Sequence, residues 1–210
     1  MQVTTAGDCN PKKNPSHKID AKYPILYLLH GHANDGGCWL NYTSVSRYAE
    51  EHRIAVCMVS TANVCYMNAP AYGENYYDLV HKEIPELLIA NFPISARPED
   101  TYICGYSMGG YGAMLHAFME PGKYRAAGLF SPGAHIDGIG RIHGIPKVIQ
   151  PEELLENITS ENAPDIFLCV GKKDFLYEDV IWSQQAVGIR YNSNLFHSYS
   201  LIFMPVFFLF

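Results

Sequence analysis

The stretch Tyr102-Ile103-Cys104-Gly105-Tyr106-Ser107-Met108-Gly109-Gly110 joins a short apolar run, a G-x-S-x-G pentapeptide and the start of an apolar-periodic segment that reaches Met119. Read together, these are a strand, a sharp turn and a helix, the context that gives a G-x-S-x-G motif chemical meaning. Glycines two before and two after the serine let strand and helix pass close together. The turn then holds the Ser107 hydroxyl above the sheet edge at a helix N-terminus, an arrangement known as a nucleophile elbow. The bland alternative is a chance G-x-S-x-G in a glycine-bearing turn. The flanking strand and helix speak against it, because few chance matches have both.

Working outward, residues 23–29 (YPILYLL), 54–60 (IAVCMVS), 102–105, 125–130 and 165–171 (DIFLCVG) are apolar runs of the length and composition of buried parallel strands. Pro24 restricts the first run to a strand start. Between them, residues 39–53 read as a helix with Ser44 at a candidate start and Val45, Tyr48 and Ala49 on one face. From Glu74 the residues Tyr76, Leu79, Val80, Ile84, Leu87 and Leu88 recur at three and four, an amphipathic helix with a break or bend at Pro85. Residues 177–188 make a further helix candidate, residues 151–156 a short one, and residues 1–5 an edge strand. Strands alternating with helices predict an α/β fold, a mostly parallel central sheet with helices on both faces. Residues 133–162 break this rhythm and read either as a cap over a site or as an ordinary surface excursion.

Composition narrows the function classes. The chain has 210 residues, 48% hydrophobic and 17% charged, enough for one sizeable core and most simply a single domain spanning residues 1–210. Net charge is -6 and no run of Lys or Arg exceeds two, so no electrostatic footprint for nucleic acid is expected. No stretch reaches the roughly 20 apolar residues needed to span a bilayer. Residues 1–22 are polar and lack the apolar core of a secretory signal, so a cytoplasmic location is expected. Cys57, Cys104 and Cys169 fall inside strand-like runs and read as buried thiols, with no C-x-x-C pair. His30 and His32 stand at i and i+2 with no third partner nearby, which argues against a metal, and no cofactor is called for.

A serine hydroxyl attacks a carbonyl only when an adjacent base takes its proton and a third group holds that base. In the fold implied here the chain order is Ser, then Asp or Glu, then His. Asp174 falls just beyond the C-terminal end of the run at 165–171, where ligands gather in open parallel sheets; its alternative role is an N-cap for the helix that follows. Two backbone N–H groups would hold the oxyanion: that of Met108, directly after the serine, and one from the His30-Gly31-His32 turn, with His32 the candidate.

The segments YPILYLLHGHAND, WLNYTSVSRYAEEHRIAV, HKEIPELL, FPISARPEDTYICGYSMGGYGAM and GKKDFLYED resemble the tributyrin-esterase branch of the esterase D-like family of α/β-hydrolases, whose relatives include acetyl and feruloyl carbohydrate esterases and S-formylglutathione hydrolases. The resemblance covers residues 23–179. It implies the α/β-hydrolase fold, hydrolysis of short acyl esters through an acyl-enzyme without cofactor, and the roles of Ser107 as nucleophile, Asp174 as acid member, and Met108 and His32 as oxyanion amides. Two departures stand out. The family starts with further strands before the one matching residues 23–29, so the fold is shortened at the N-terminus. Its catalytic histidine lies in a glycine-bearing loop, whereas here the tail, residues 180–210, is atypical and ends in LIFMPVFFLF. His197, 23 residues beyond Asp174, is the candidate base, in Phe196-His197-Ser198-Tyr199 with no glycine near it.

Three functional readings follow: a serine carboxylesterase for short-chain acyl esters, a catalytically impaired or truncated homologue that keeps fold and pocket, and an S-formylglutathione hydrolase. The expected partner is a small acyl ester. The tail reads as a product of another reading frame or of truncation, or else as a last buried strand over residues 200–210 with Pro205 misplaced for it. If its apolar end, residues 201–210, does not pack into the sheet, association or poor solubility is expected, with a homo-oligomer as one form.

Overall fold

The computed structural model describes residues 2–4, 22–133, 149–159, 161–178, 180–181 and 196–201. Its main sheet has seven strands in the order β1-β3-β2-β6-β7-β8-β9. These are β1 (Gln2–Thr4), β2 (Ile25–Leu29), β3 (Ala55–Val59), β6 (Thr101–Tyr106), β7 (Ala126–Phe130), β8 (Asp165–Gly171) and β9 (Phe196–Leu201). All neighbours run parallel except β1, which lies antiparallel on the edge beside β3 with Val3 opposite Cys57. A separate two-stranded ribbon pairs β4 (Asn68–Ala69) with β5 (Glu74–Asn75).

Alternation along the central strands separates two apolar layers, as the period of two requires. Tyr27, Leu29, Cys57 and Val59 face a layer containing Val80, Ile84, Leu88, Tyr111, Met114 and Phe118. Leu28, Val56 and Met58 face the other layer, with Cys38, Trp39, Val45 and Ala49. Helices α1 (Gly37–Tyr42) and α2 (Val45–His52) therefore cover one face. On the other lie α5 (Met108–Met119) and the segment built from α3 (Tyr76–Asp78) and α4 (Ile84–Asn91). This is the α/β-hydrolase arrangement expected from the sequence.

Two helices differ in detail from the sequence reading. Residues 39–53 form α1 and α2 rather than one helix, because the chain turns extended at Thr43 before Ser44 opens the second. The Thr43 hydroxyl donates back to the Trp39 carbonyl while the Val45 amide donates to the Thr43 hydroxyl, so this side chain serves both helix ends. In the segment starting at Glu74, the bend expected at Pro85 is drawn out into a π turn over Leu79–Glu83 that joins α3 to α4. Proline brings no N–H to the carbonyl four residues back, so the ladder widens just ahead of it.

The short helix expected at 151–156 is Pro151–Leu154 followed by a tight turn, Leu155–Asn157. Most of the candidate cap, residues 134–148, lies outside the described residues, as do residues 182–195 and the apolar end 202–210. The last described strand is Phe196–Leu201; the rest of the candidate strand over residues 200–210 lies outside the described residues. Among the described residues, no helix is long and apolar enough to cross a membrane.

Candidate active site

Strand order reverses between β2 and β6. From β2 the chain steps outward to β3, then returns to β6 on the other side and proceeds through β7 and β8 to β9. In open parallel sheets the crevice beyond the C-terminal ends of the two strands flanking such a reversal is where ligands bind. Leu29 of β2 is in register with Gly105 of β6, so the turn from His30 and the turn at Ser107 leave the sheet side by side.

Ser107 sits between β6 and α5 with φ 53 and ψ -118. This is an unfavourable backbone for a residue with a Cβ, of the kind found where surrounding contacts impose it. Those contacts are visible. The Ser107 amide donates to the Phe130 carbonyl at 2.9 Å, the Tyr111 amide donates to the Ser107 carbonyl at 3.0 Å, and the Gly133 amide donates to the same carbonyl at 3.3 Å.

The flanking glycines are required by close approach. A Cβ on Gly105 would lie 2.1 Å from the Gly109 carbonyl oxygen, and one on Gly109 would lie 2.2 Å from the oxygen of Leu29. Tyr106, between glycine and serine, is locked in place. Its ring meets that of Trp39 edge-on at 5.4 Å and its hydroxyl lies 3.4 Å from the Cys38 sulfur. Burial is the main reason that the Tyr106 phenol and the Cys38 thiol are both pushed up from their ordinary pKa.

Met108 is the first residue of α5 and is buried. His32 lies in the exposed turn after β2 and is followed by Ala33 at φ 59. The turn is anchored by His30, which is fully buried. Its Nδ1–H donates to the Gly31 carbonyl at 2.8 Å, its Nε2 accepts the Thr61 amide at 3.1 Å, and its own carbonyl accepts the Tyr66 hydroxyl at 2.8 Å. His30 is thus a core histidine whose ring nitrogens both serve the backbone. A Cβ on Gly31 would lie 2.4 Å from the Tyr106 ring, which ties the two turns together. Among the described residues no group of His, Cys, Asp and Glu could hold a metal ion.

Asp174 follows β8 through a turn in which its amide donates to the Gly171 carbonyl at 2.9 Å. Its Oδ1 accepts the Leu176 amide at 2.9 Å, a local side-chain bond two residues on in the turn that follows β8. Its Oδ2 accepts the Ser131 hydroxyl at 2.7 Å. Ser131 escaped the sequence reading. A serine directly after a strand and before a proline was the available signal, but its partner is 43 residues away.

His197 is placed by register. It pairs with Phe167 of β8, while Tyr106, Phe130, Cys169 and Tyr199 share one level across β6 to β9. It therefore lies two residues short of the level from which Ser107 leaves the sheet, about 7 Å along the strand and about 14 Å across three strand spacings.

The Esterase family profile matches residues 10–194. The chain belongs to the esterase family. Two solved structures from Staphylococcus aureus align over nearly all of this esterase. FphF, a fluorophosphonate-binding serine hydrolase, is 27% identical with a TM-score of 0.77, covering 96% of this chain and 84% of its own. FrmB, an S-formylglutathione hydrolase, is 28% identical with a TM-score of 0.74, covering 95% and 84%. A ferulic acid esterase at 19% identity has the same fold, with a TM-score of 0.72 over 88% of this chain and 79% of its own.

Proposed function

We propose that this esterase is a serine carboxylesterase that hydrolyses short-chain acyl esters through an acyl-enzyme. The observation that carries the reading is the strained backbone of Ser107, φ 53 and ψ -118, held at the reversal of strand order between β2 and β6. Ser107 attacks the ester carbonyl. The amides of Met108 and His32 take up the oxyanion, and the start of α5 adds its positive end to their pull. Asp174 orients the base and balances its charge once the base has taken the serine proton. His197, which follows Asp174 in the chain, is proposed as that base. It protonates the leaving alcohol and then activates the water that releases the acid. The likeness to FphF, a serine hydrolase, supports a serine nucleophile, and the likeness to FrmB makes an S-formyl thioester a substrate to compare with oxygen esters.

A second reading is a homologue that keeps fold and pocket but turns over poorly. It is favoured by one observation, the level of His197 beside Phe167 in the middle of β8. A fluorophosphonate probe, with hydrolysis of p-nitrophenyl acetate followed in parallel, separates the two. Labelling that is lost in Ser107→Ala, together with turnover that falls in His197→Ala, supports the enzyme. Absence of both labelling and turnover in the wild-type chain rejects it, and turnover untouched in His197→Ala rejects His197 as the base. Rates on acetyl, butyryl, feruloyl and S-formyl substrates then rank the acyl classes.

A further inference from the structure

We infer that Ser131 is a positioning residue for the reaction, holding the Asp174 carboxylate in the plane from which it orients the base; the inference rests on the role of Asp174 given above. Ser131 is the first residue beyond β7 and has φ 42. A serine gains nothing from that region of backbone space, where glycine would sit without cost. The residue is nonetheless buried, and its amide donates to the Cys169 carbonyl at 2.7 Å. Its hydroxyl donates to Asp174 Oδ2 at 2.7 Å. That bond is charge-assisted when the carboxylate is ionised and is short enough to count among the stronger kind.

The surroundings join this bond to the nucleophile. The residue before Ser131 lends its carbonyl to the Ser107 amide, and Gly133, two residues after it, donates to the Ser107 carbonyl. Pro132 packs against α5 so closely that a Cβ on Gly110 would meet its Cα at 2.9 Å. The four residues Phe130 to Gly133 therefore grip the elbow on one side and the Asp174 turn on the other. The Leu176 amide on Oδ1 fixes one end of the carboxylate and Ser131 on Oδ2 fixes the other. A carboxylate has about four acceptor positions, so room is left for an imidazole N–H.

Ser131→Gly separates this role from mere loop structure, because it removes the hydroxyl while suiting the backbone. A loop role predicts a variant as stable as wild type and fully active. The positioning role predicts kcat on p-nitrophenyl acetate lowered about tenfold with KM little changed, as expected when an interaction of the reacting geometry is lost, while Tm stays near the wild-type value because the relieved backbone strain offsets the lost hydrogen bond. In the Asp174→Asn background, Ser131→Gly should cost little more, since two members of one unit do not add. Wild-type kcat in Ser131→Gly, with kcat lost in Asp174→Asn, overturns the inference alone. Wild-type kcat in both variants overturns the role of Asp174 and the inference with it. A full further tenfold loss in the double variant also overturns it, because Ser131 would then act independently of Asp174.

Discussion

The Lys123 ammonium donates to the carbonyl of His81, the group to which an unbroken α-helix would have brought the N–H that Pro85 lacks. The same ammonium lies 2.8 Å from His81 Nδ1. Around this pair, Tyr77 stacks with both His81 and His116, with centroids 5.6 Å and 4.7 Å apart, and donates to Glu120 at 2.7 Å. The cluster lies at the C-terminal end of α5, a full helix length from Ser107. Lys123→Met should leave the His81 carbonyl without this donor, at a cost of about 1–3 kcal/mol. For a chain of this size that lowers Tm by about 2–4 °C per kcal/mol. Calorimetry and esterase assays on the variant should show that loss of Tm with kcat unchanged.

His116 makes stability depend on pH. Burial, with Lys123 and His81 adding repulsion, lowers its pKa from the ordinary 6.5 to about 3. Between these values the folded chain keeps the ring neutral while the unfolded chain binds a proton. Stability is therefore full above about pH 6.5 and falls as pH drops toward 3, by several kcal/mol over the whole window. Urea midpoints measured from pH 7 to pH 4 should fall steeply in wild type. In His116→Phe, which keeps the stack on Tyr77, they should fall less; equal slopes would contradict the assignment.

Ser107→Gly should trade activity for stability. Glycine accepts φ 53 and ψ -118, so about 1–3 kcal/mol of backbone strain is relieved, offset by about 0.5–1 kcal/mol of extra chain entropy. Tm equal to or above wild type is expected, with p-nitrophenyl acetate hydrolysis down by about three powers of ten or more. A clear drop in Tm would show that the serine side chain itself stabilises the turn.

Gly109→Ala and Gly37→Ala should differ sharply. At Gly109 the new methyl meets backbone oxygens of Leu29 at 2.2 Å and His30 at 2.6 Å, which cannot move without parting α5 from β2. At Gly37 its one close contact is the Asp35 side chain, at 2.9 Å, with the Asn41 side chain at an ordinary 3.9 Å. A loss of about 3 kcal/mol or more is expected for the first and under about 1 kcal/mol for the second, read from chemical denaturation.

Local signals in the chain were enough for the framework. The apolar runs at 23–29, 54–60, 125–130 and 165–171, the helical spacing after Glu74 and the glycines around Ser107 are short-range patterns. Each reports burial or backbone freedom within a few residues, so parallel strands, helices and the elbow could be read directly. What required the folded chain is every relationship between distant segments. The hydroxyl of Ser131 reaches Asp174 only because β7 and β8 are neighbours in a definite register. The same kind of register, in β9, sets His197 beside Phe167 rather than at the level of Ser107. No local pattern encodes which strand lies beside which or at what offset. Those are fixed by the packing of two apolar layers on one sheet, and they decide how the elbow is supplied with its partners.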